Sequence, residues 1–486
     1  MKEPEQLTSP LDFLSDNLGH NPDAAVLAAY EHWWSSQGQV ISDTVDRAGT
    51  PWLRMFDRAG TRIDEICYSP GYRAMLLKGY REGIISRVFE QNSVLPFYRI
   101  GYITAFHDPG LFCPYTVSLT TAVPLKKYGS EALKARFLAQ LLRTDDEVWQ
   151  GATWMTEIKG GSDLGASVET TAQEQDDRWH LNGDKYFASN LGAELAVVAA
   201  RPEGAPRDVR GLALFLLPRL KESGELNYTV RRIKDKIGTR SVPTGEIELR
   251  DSEAWLLGNR EQGVYLILEV LNISRVANSI ASVALAQRAL AEATEFACQR
   301  RAFGKAIIEH PLLQQQFRER RHGLQAAMAL ACKAAHMLDA VWQQTPPYNE
   351  QYHLFRLLAH LAKYWTAEFA ARTCKWAMEV HGGLGVLAEY PVERWFREAM
   401  ILSIWEGTAH RQILDGLEVM QRKAAHKDLF ESLRPAADSH TLAGIEVRVD
   451  QHLELAEDEQ EASAEKLFYD LARFTAETYL KESRAR

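Results

Sequence analysis

Cysteine is scarce in this sequence, which has five cysteines in 486 residues and no pair spaced as C-x-x-C. An odd number of widely separated cysteines argues against a disulfide framework and against a zinc site. We therefore expect that the protein has no metal centre and that it lies in a reducing compartment, the cytoplasm. The five are Cys67, Cys113, Cys298, Cys332 and Cys374.

An excess of basic residues is also missing. The 56 lysines and arginines are outnumbered by 65 acidic residues, and the net charge is −9. The overall balance gives no sign of a nucleic-acid-binding protein. No apolar run approaches the roughly 18 residues that span a bilayer, and the opening MKEPEQLTSPLDF lacks the basic and apolar regions of a signal peptide. We expect a soluble protein without membrane association.

The pattern of residues along the chain changes from helix-like to strand-like and back to helix-like, and the sequence shows no internal repeat. Residues 1–145 are predicted to form an N-terminal helical domain, 146–255 a middle β domain, 256–425 a C-terminal helical bundle and 426–486 an acidic helical extension. This order differs from the βαβ alternation of a doubly wound fold. The predicted fold is mostly α with a small central β barrel or sandwich.

Short apolar runs separated by Gly and Pro mark the β domain. They predict strands near 193–200, 212–217, 226–233 and 245–249. Asn182-Gly183, between two alternating runs, predicts a hairpin turn.

Two stretches of the β domain carry side chains that suit a ligand. Residues 154–163, WMTEIKGGSD, supply hydroxyls, backbone N–H groups and glycines that can hold a polar planar ring and a phosphate. A capped helix start or a turn is an equally good interpretation. In KYFASN, 185–190, strand alternation puts Phe187 and Ser189 on one face, and core packing is the default expectation for Phe187.

A carboxylate late in the chain is the first catalytic candidate. Glu406, in ILSIWEGTAHRQ, stands between Trp405 and Gly407-Thr408. A carboxylate against apolar walls has a raised pKa and can serve as a general base. A solvated residue at a helix start is the alternative.

Two further motifs could contact phosphates. Arg300, in QRRAFGK, can bind a pyrophosphate in a bidentate manner, or can be a basic residue at a helix C-terminus. The glycine loop HGGLG, 381–385, lacks a preceding strand and is not a dinucleotide fingerprint.

The last segment is acidic. Residues 424–486 contain 8 basic and 14 acidic residues, six of the acids lying in 454–465. A solvated helical face or a mobile linker is the usual meaning of such a run; a contact surface for a partner is the alternative.

Jointly and in order, these motifs resemble the acyl-CoA dehydrogenase flavoprotein family from about Trp154 to Glu418. The shared motifs are MTE...GGSD, NGDKYFASN, KIGTRS, LAQRALAEA, RRAFGK, EVHGGLG, EYPVERWFREA and IWEGT. The upstream stretches 56–76 and 110–125, with 254–271, are similar to the alkylation-response subgroup typified by AidB.

The resemblance implies a role for each matching residue. Glu406 matches the base that removes the α proton, and Arg275 a basic residue near the CoA end of the substrate. Ser274 stands where one variant of the family places its base, and serine cannot do that work. The implied FAD contacts are Met155, Thr156, Ser162, Phe187, Ser189 and Thr408, and, toward the FAD of a neighbouring subunit, Arg300, Phe303, Glu379, Gly382 and Gly383.

The implied function is FAD-dependent α,β-dehydrogenation of an acyl-CoA in fatty acid metabolism, by a homo-oligomer, a tetramer or dimer, that passes electrons to a protein acceptor. Two alternatives stay open. One is an AidB-like alkylation-response flavoprotein that associates with DNA and has little dehydrogenase activity; the acidic C-terminus disfavours it. The other is a flavin-dependent oxidase or monooxygenase. Acyl chain length, branching and the carrier, CoA or acyl carrier protein, are not readable from these residues.

Overall fold

The computed structural model describes residues 7–15, 22–176 and 178–485. By the density of its internal contacts the chain divides into two compact units. The first unit takes residues 1–31, 101–107 and 275–486, and the second takes residues 32–100 and 108–274. The four domain limits expected from the sequence stay predictions beside this division.

The first unit is helical. Two of its long helices, Pro311–Val341 and Glu350–His381, pack against each other, and the second also packs against Val392–Ile404 and Ala409–Lys423. The helices with most or all of their length in this unit are α1 (Pro10–Ser15), α2 (Ala24–Trp33), α6 (Leu95–His107), α11 (Gly263–Gln299), α12 (Pro311–Val341), α13 (Glu350–His381), α14 (Val392–Ile404), α15 (Ala409–Lys423), α16 (Ala425–Leu433), α17 (Ser439–Leu453) and α18 (Glu457–Ala485). A short hairpin of β10 (Arg301–Ala302) and β11 (Lys305–Ala306) follows α11.

The second unit combines helices with the β domain. The helices with most or all of their length in this unit are α3 (Gln39–Ala48), α4 (Pro70–Arg81), α5 (Ser86–Glu90), α7 (Pro109–Tyr128), α8 (Glu131–Leu133), α9 (Ala139–Leu141) and α10 (Leu164–Ser167). The start of α4 shows why these helices begin where they do: Ser69 Oγ accepts the Tyr72 N–H at 3.2 Å, and Pro70 occupies the first turn.

The β domain is a seven-stranded sheet in which β6 pairs with both β4 and β7, so the sheet returns on itself. Alternate side chains, among them Trp179, Leu181 and Phe215, form the apolar interior. The strands are β3 (Gly151–Trp154), β4 (Thr171–Gln175), β5 (Arg178–Ser189), β6 (Leu195–Pro202), β7 (Ala213–Pro218), β8 (Thr229–Ile233) and β9 (Thr244–Leu257). A separate hairpin pairs β1 (Trp52–Phe56) with β2 (Arg62–Cys67). The expected fold, mostly α with a central β domain, is confirmed.

The hairpin predicted at Asn182-Gly183 is wrong. β5 runs through both residues and pairs with β4 and β9, with a register shift between Leu181 and Gly183. Gly183 has a φ of 152°, and a Cβ there would lie 2.5 Å from Thr170 Oγ1. The glycine therefore serves a β-bulge rather than a turn.

Among the described residues one helical stretch, Arg260–Gln299, is long and apolar enough to span a bilayer by length and composition. Of its most apolar window, 89% is buried within the protein. This burial is typical of a core helix.

Candidate active site

Glu406 lies in the short turn between α14 and α15. Trp405 follows the last residue of α14, and Thr408 precedes α15 without a capping hydrogen bond from its side chain. The turn has a left-handed backbone at two successive residues, with φ of 57° at Glu406 and 98° at Gly407. Glycine adopts this conformation without steric cost, but a glutamate does so only where its surroundings hold it there.

Side chains from three helices hold the turn by its carbonyl groups. Gln412 Nε2 donates to the oxygens of Glu406 and Gly407 at 2.9 and 3.0 Å. Lys363 Nζ donates to Gly407 O at 2.6 Å, and Arg275 Nε donates to Glu406 O at 3.3 Å. Each of the two carbonyls therefore accepts from two side chains.

His360 fixes the orientation of Gln412. Its Nδ1 lies 3.0 Å from Gln412 Oε1. An amide oxygen only accepts, so His360 is assigned the tautomer that carries the proton on Nδ1. Burial lowers the pKa of His360 to about 3, so the imidazole is neutral at physiological pH. The Gln412 amide group must then point its nitrogen at the turn.

Arg275 is buried, and its guanidinium Nη2 pairs with Asp415 Oδ2 at 3.1 Å. Asp415 also accepts from Arg411 Nε at 2.7 Å. In this structure Arg275 therefore supports the Glu406 turn. Its expected contact with the CoA end of a substrate stays a prediction.

The Glu406 carboxyl group is the chemical centre of this region. Burial raises its pKa to about 7, against the opposing effects of Arg275 and then Lys363. Its Oε2 atom is buried and has no hydrogen-bond partner among the described residues. A carboxylate with this pKa and an unused oxygen can accept a proton near neutral pH.

The candidate flavin residues of the β domain begin where β3 ends. Met155 is buried, Thr156 is half-buried and Ser162 is exposed. The intervening turn is anchored by Glu157, whose Oε1 accepts from Lys185 Nζ and Thr170 Oγ1, each at 2.6 Å.

Phe187 and Ser189 lie near the end of β5. Phe187 is 51% exposed, so the expected core role is wrong; its ring borders Lys234, whose Nζ lies 4.9 Å from the ring centre. Ser189 Oγ lies 3.0 Å from Thr244 Oγ1, which accepts from Lys236 Nζ at 3.0 Å.

The remaining predicted FAD contacts gather at one end of the first unit. Phe303, with a φ of 50°, is 96% exposed at the tip of the β10–β11 hairpin, and Arg300 precedes that hairpin. The Phe296 ring stacks on His381 at 4.2 Å, which brings the end of α11 beside the glycine loop. In that loop Gly382 and Gly383 have open space at their Cβ positions, while Glu379 pairs with Lys375 on the surface. The sequence did not show that these two segments are neighbours.

The residues of the β domain fit the flavin that the resemblance implies. A Cβ at Gly161 would lie 2.5 Å from Thr156 Oγ1, so glycine allows a ligand close to this hydroxyl. The polar edge of a flavin needs donors and acceptors, and the hydroxyls of Thr156 and Ser189 supply both. The half-exposed Phe187 ring offers an apolar face.

Sequence reasoning missed the residues that hold Glu406. These are Lys363, Gln412, His360 and Asp415. One signal was present: His360 and Lys363 are polar residues three positions apart within the apolar stretch LLAHLAKYW.

Three family models match successive parts of the chain. They are the adaptive response protein AidB N-terminal domain over residues 9–147, the acyl-CoA dehydrogenase middle domain over 152–252 and the acyl-CoA dehydrogenase C-terminal domain over 261–421. The chain belongs to the acyl-CoA dehydrogenase family. The resemblance drawn from the sequence, including its AidB-like part, is confirmed. Membership supports an oxidoreductase of acyl-CoA dehydrogenase type.

Two relatives illustrate the similarity. Acyl-CoA dehydrogenase family member 11 of Caenorhabditis elegans is 30% identical over 80% of this chain and 66% of its own length. The putative acyl-CoA dehydrogenase AidB of Escherichia coli (strain K12) is 27% identical over 78% of this chain and 71% of its own length. The chain thus spans about two thirds of the length of these acyl-CoA dehydrogenase relatives.

Solved structures share the fold. The apo form of Bd2924 has a TM-score of 0.90 at 28% identity, covering 100% of this chain and 98% of that one. ACDH-11 of Caenorhabditis elegans in complex with C11-CoA has a TM-score of 0.84 at 25% identity, covering 95% and 84%. An acyl-CoA dehydrogenase of Bacillus anthracis complexed with FAD has a TM-score of 0.74 at 18% identity, covering 96% and 81%. Membership of the acyl-CoA dehydrogenase family supports FAD as the cofactor.

Proposed function

We propose that this protein is an FAD-dependent acyl-CoA dehydrogenase in which Glu406 is the base. The observation that carries the proposal is the Glu406 side chain, which is half-buried with its Oε2 atom buried, lies in a left-handed turn and has a pKa raised to about 7 by burial. A general base works best when its pKa lies near the working pH. Acyl-CoA as the substrate class is supported by the family and by the C11-CoA complex of the nematode relative.

In this mechanism Glu406 removes the proton from the α carbon of the acyl thioester. FAD, when bound, supplies the acceptor for the hydride that leaves the β carbon. The two losses form the α,β double bond of a trans-2-enoyl thioester. In this proposal the cofactor is held by the residues that the resemblance implies, Met155, Thr156, Ser162, Phe187, Ser189 and Thr408.

The Glu406 backbone N–H has a part in the same step. It is proposed to donate a hydrogen bond to the thioester carbonyl, because a preplaced donor stabilises the negative charge that develops there as the α proton leaves. The following carbonyl groups, those of Glu406 and Gly407, are bound by side chains of the surrounding helices, which restrains the turn that carries this N–H. Exclusion of water from the carboxylate strengthens both interactions.

Self-association, an electron-accepting partner protein and a cytoplasmic location belong to the same proposal. A titration in the absence of oxygen tests it. The FAD-loaded protein is mixed with short, branched, long and aromatic acyl-CoA thioesters while the absorbance of oxidised flavin is followed. We expect one class to bleach the flavin, and Glu406→Gln to slow bleaching by about 10²–10⁴-fold.

Glu461→Gln, the same change at an exposed position of α18, is the matched control and should bleach like the wild type. Oxidised flavin that persists with every thioester would overturn the proposal for those substrates. Salt-dependent DNA binding and reoxidation of chemically reduced flavin by oxygen would then be measured, because they separate the AidB-like and oxidase alternatives.

A further inference from the structure

Lys363 is a buried cation in the middle of α13. Its side chain is fully buried within an apolar stretch of the helix. Lysine is rarely buried unless it is paired, because removing its charge from water is costly. No carboxylate of the described residues forms an ion pair with it, so its position calls for another explanation.

The contacts of Lys363 are all directed at the Glu406 turn. Its Nζ donates to Gly407 O at 2.6 Å and to Ser403 O at 3.1 Å. Ser403 lies in the last turn of α14, and Gly407 follows Glu406. Lys363 therefore joins the helix end to the turn, across the residue that is the proposed base.

Lys363 also differs from the other cation near Glu406. Arg275 is matched by Asp415, whose Oδ2 lies 3.1 Å from its Nη2. Among the described residues no carboxylate forms a comparable ion pair with Lys363, so its positive charge acts on Glu406 without being neutralised by another acidic side chain. Burial lowers the pKa of Lys363 to about 7, and Glu406 is the largest effect opposing that change.

We propose that Lys363 is a positioning residue for Glu406: the Lys363 ammonium group fixes the left-handed turn and supplies the positive charge against which the Glu406 carboxylate ionises. This rests on the proposed function of Glu406. The charged and titratable groups around the pair come from three helices: Arg275 on α11; Arg356, His360 and Glu368 on α13; and Arg411 and Asp415 on α15.

Two variants separate the charge of Lys363 from its hydrogen bonds. Lys363→Gln removes the charge and keeps an N–H donor, whereas Lys363→Met removes both. Lys466→Met, at an exposed position of α18, is the matched control. If Lys363→Met fails to fold, Lys363→Gln alone decides the question.

The readout is the infrared C=O band of protonated Glu406, followed as a function of pH and assigned by subtracting the spectrum of a Glu406→Gln variant in each background. We expect both Lys363 variants to move the midpoint of this titration upward by about one pH unit, as loss of an opposite charge requires. The control should leave it unchanged. An unchanged midpoint in the folded Lys363 variants would overturn the proposal.

Rates of flavin bleaching distinguish this inference from the proposed function. At a pH below the midpoint, the flavin of the Lys363→Gln variant should be bleached about tenfold more slowly than that of the wild type. At high pH the two rates should become similar. In one outcome the flavin of the wild type is bleached normally and the Lys363 variants keep the wild-type pH profile of bleaching. That outcome would refute the role of Lys363 and would not affect the proposed function. A wild type that no thioester bleaches, with the infrared shift still present, would refute the function and support the electrostatic coupling.

Discussion

The Gln412 side-chain nitrogen lies 2.9 Å from the Glu406 carbonyl oxygen and 3.0 Å from that of Gly407. Gln412 is fully buried. One amide group therefore satisfies both carbonyls of a turn in which glutamate has an unfavourable backbone conformation.

Replacing this amide should destabilise the protein. We expect Gln412→Met to lower the free energy of unfolding by about 1–3 kcal/mol, because two partly buried carbonyls each lose a donor. Denaturant unfolding monitored by circular dichroism measures the change. Gln351→Met, at an exposed position of α13, should have little effect. Equal stability of the two variants would show that water or another donor replaces the Gln412 amide.

The pH dependence of flavin reduction should report Glu406. Burial raises its pKa to about 7, and only the ionised carboxylate can take a proton. With a bleaching substrate, the rate should be half-maximal near this pKa and fall about tenfold for each pH unit below it. A rate that is flat between about pH 5.5 and 8 would contradict this assignment.

The same raised pKa has a consequence for stability. The folded protein binds the Glu406 proton more tightly than the unfolded chain does, so the bound proton stabilises the folded state. This contribution to the free energy of unfolding is fully present below the pKa of the unfolded chain, about 4.3, and is lost as the pH rises through the pKa of the folded protein. The wild type should therefore lose stability relative to Glu406→Gln over this window. A constant stability difference from about pH 4 to 8 would argue against a raised Glu406 pKa.

Gly407→Ala should disturb the turn through its backbone. Gly407 has a φ of 98°, and an added Cβ would lie 2.7 Å from Gln412 Nε2. We expect a loss of about 1–3 kcal/mol in stability, measured by thermal unfolding, and slower flavin bleaching. Gly444→Ala, in α17 with open space around the added Cβ, should instead stabilise the protein by about 0.5–1 kcal/mol. Shifts of the same sign in both variants would exclude backbone strain as the cause.

The buried pair Glu157 and Lys185 should stabilise the β domain beside the candidate flavin residues. Lys185→Met leaves Glu157 as a buried charge without its cation and should cost about 3–5 kcal/mol. Adding Glu157→Gln should recover part of the loss, which denaturant unfolding of the single and double variants would show. Lys159→Met breaks an exposed pair with Glu169 and should cost about 0–1 kcal/mol. A double variant no more stable than Lys185→Met would point to lost packing instead of an unpaired charge.

Phe303 should serve the oligomer and its cofactor. Its side chain is 96% exposed at a hairpin tip with a positive φ, an unusual place for a large apolar ring. We expect Phe303→Ala to lower the mass measured by light scattering and the flavin absorbance per protein. Val447→Ala removes apolar area from a residue that is 54% exposed on α17 and should change neither quantity. Unchanged mass and flavin content in Phe303→Ala would reject this role.

The sequence by itself determined the order of helical and β segments and the family, because periodicity and motif spacing are local properties of the chain. It also singled out Glu406, whose neighbours Trp405, Gly407 and Thr408 are adjacent in sequence. Local signals failed at Asn182-Gly183, where pairing with β9 makes the glycine a bulge, and at Phe187, for which core packing was the default expectation.

Only the tertiary structure decided how Glu406 is held. Lys363, 43 positions before it in the chain, and Arg275, more than a hundred positions before it, reach its turn from other helices. Burial of the carboxyl group, and with it a pKa of about 7, depends on the same packing. Hydrogen bonds and loss of solvent are set by residues distant in sequence, so no local pattern can predict them.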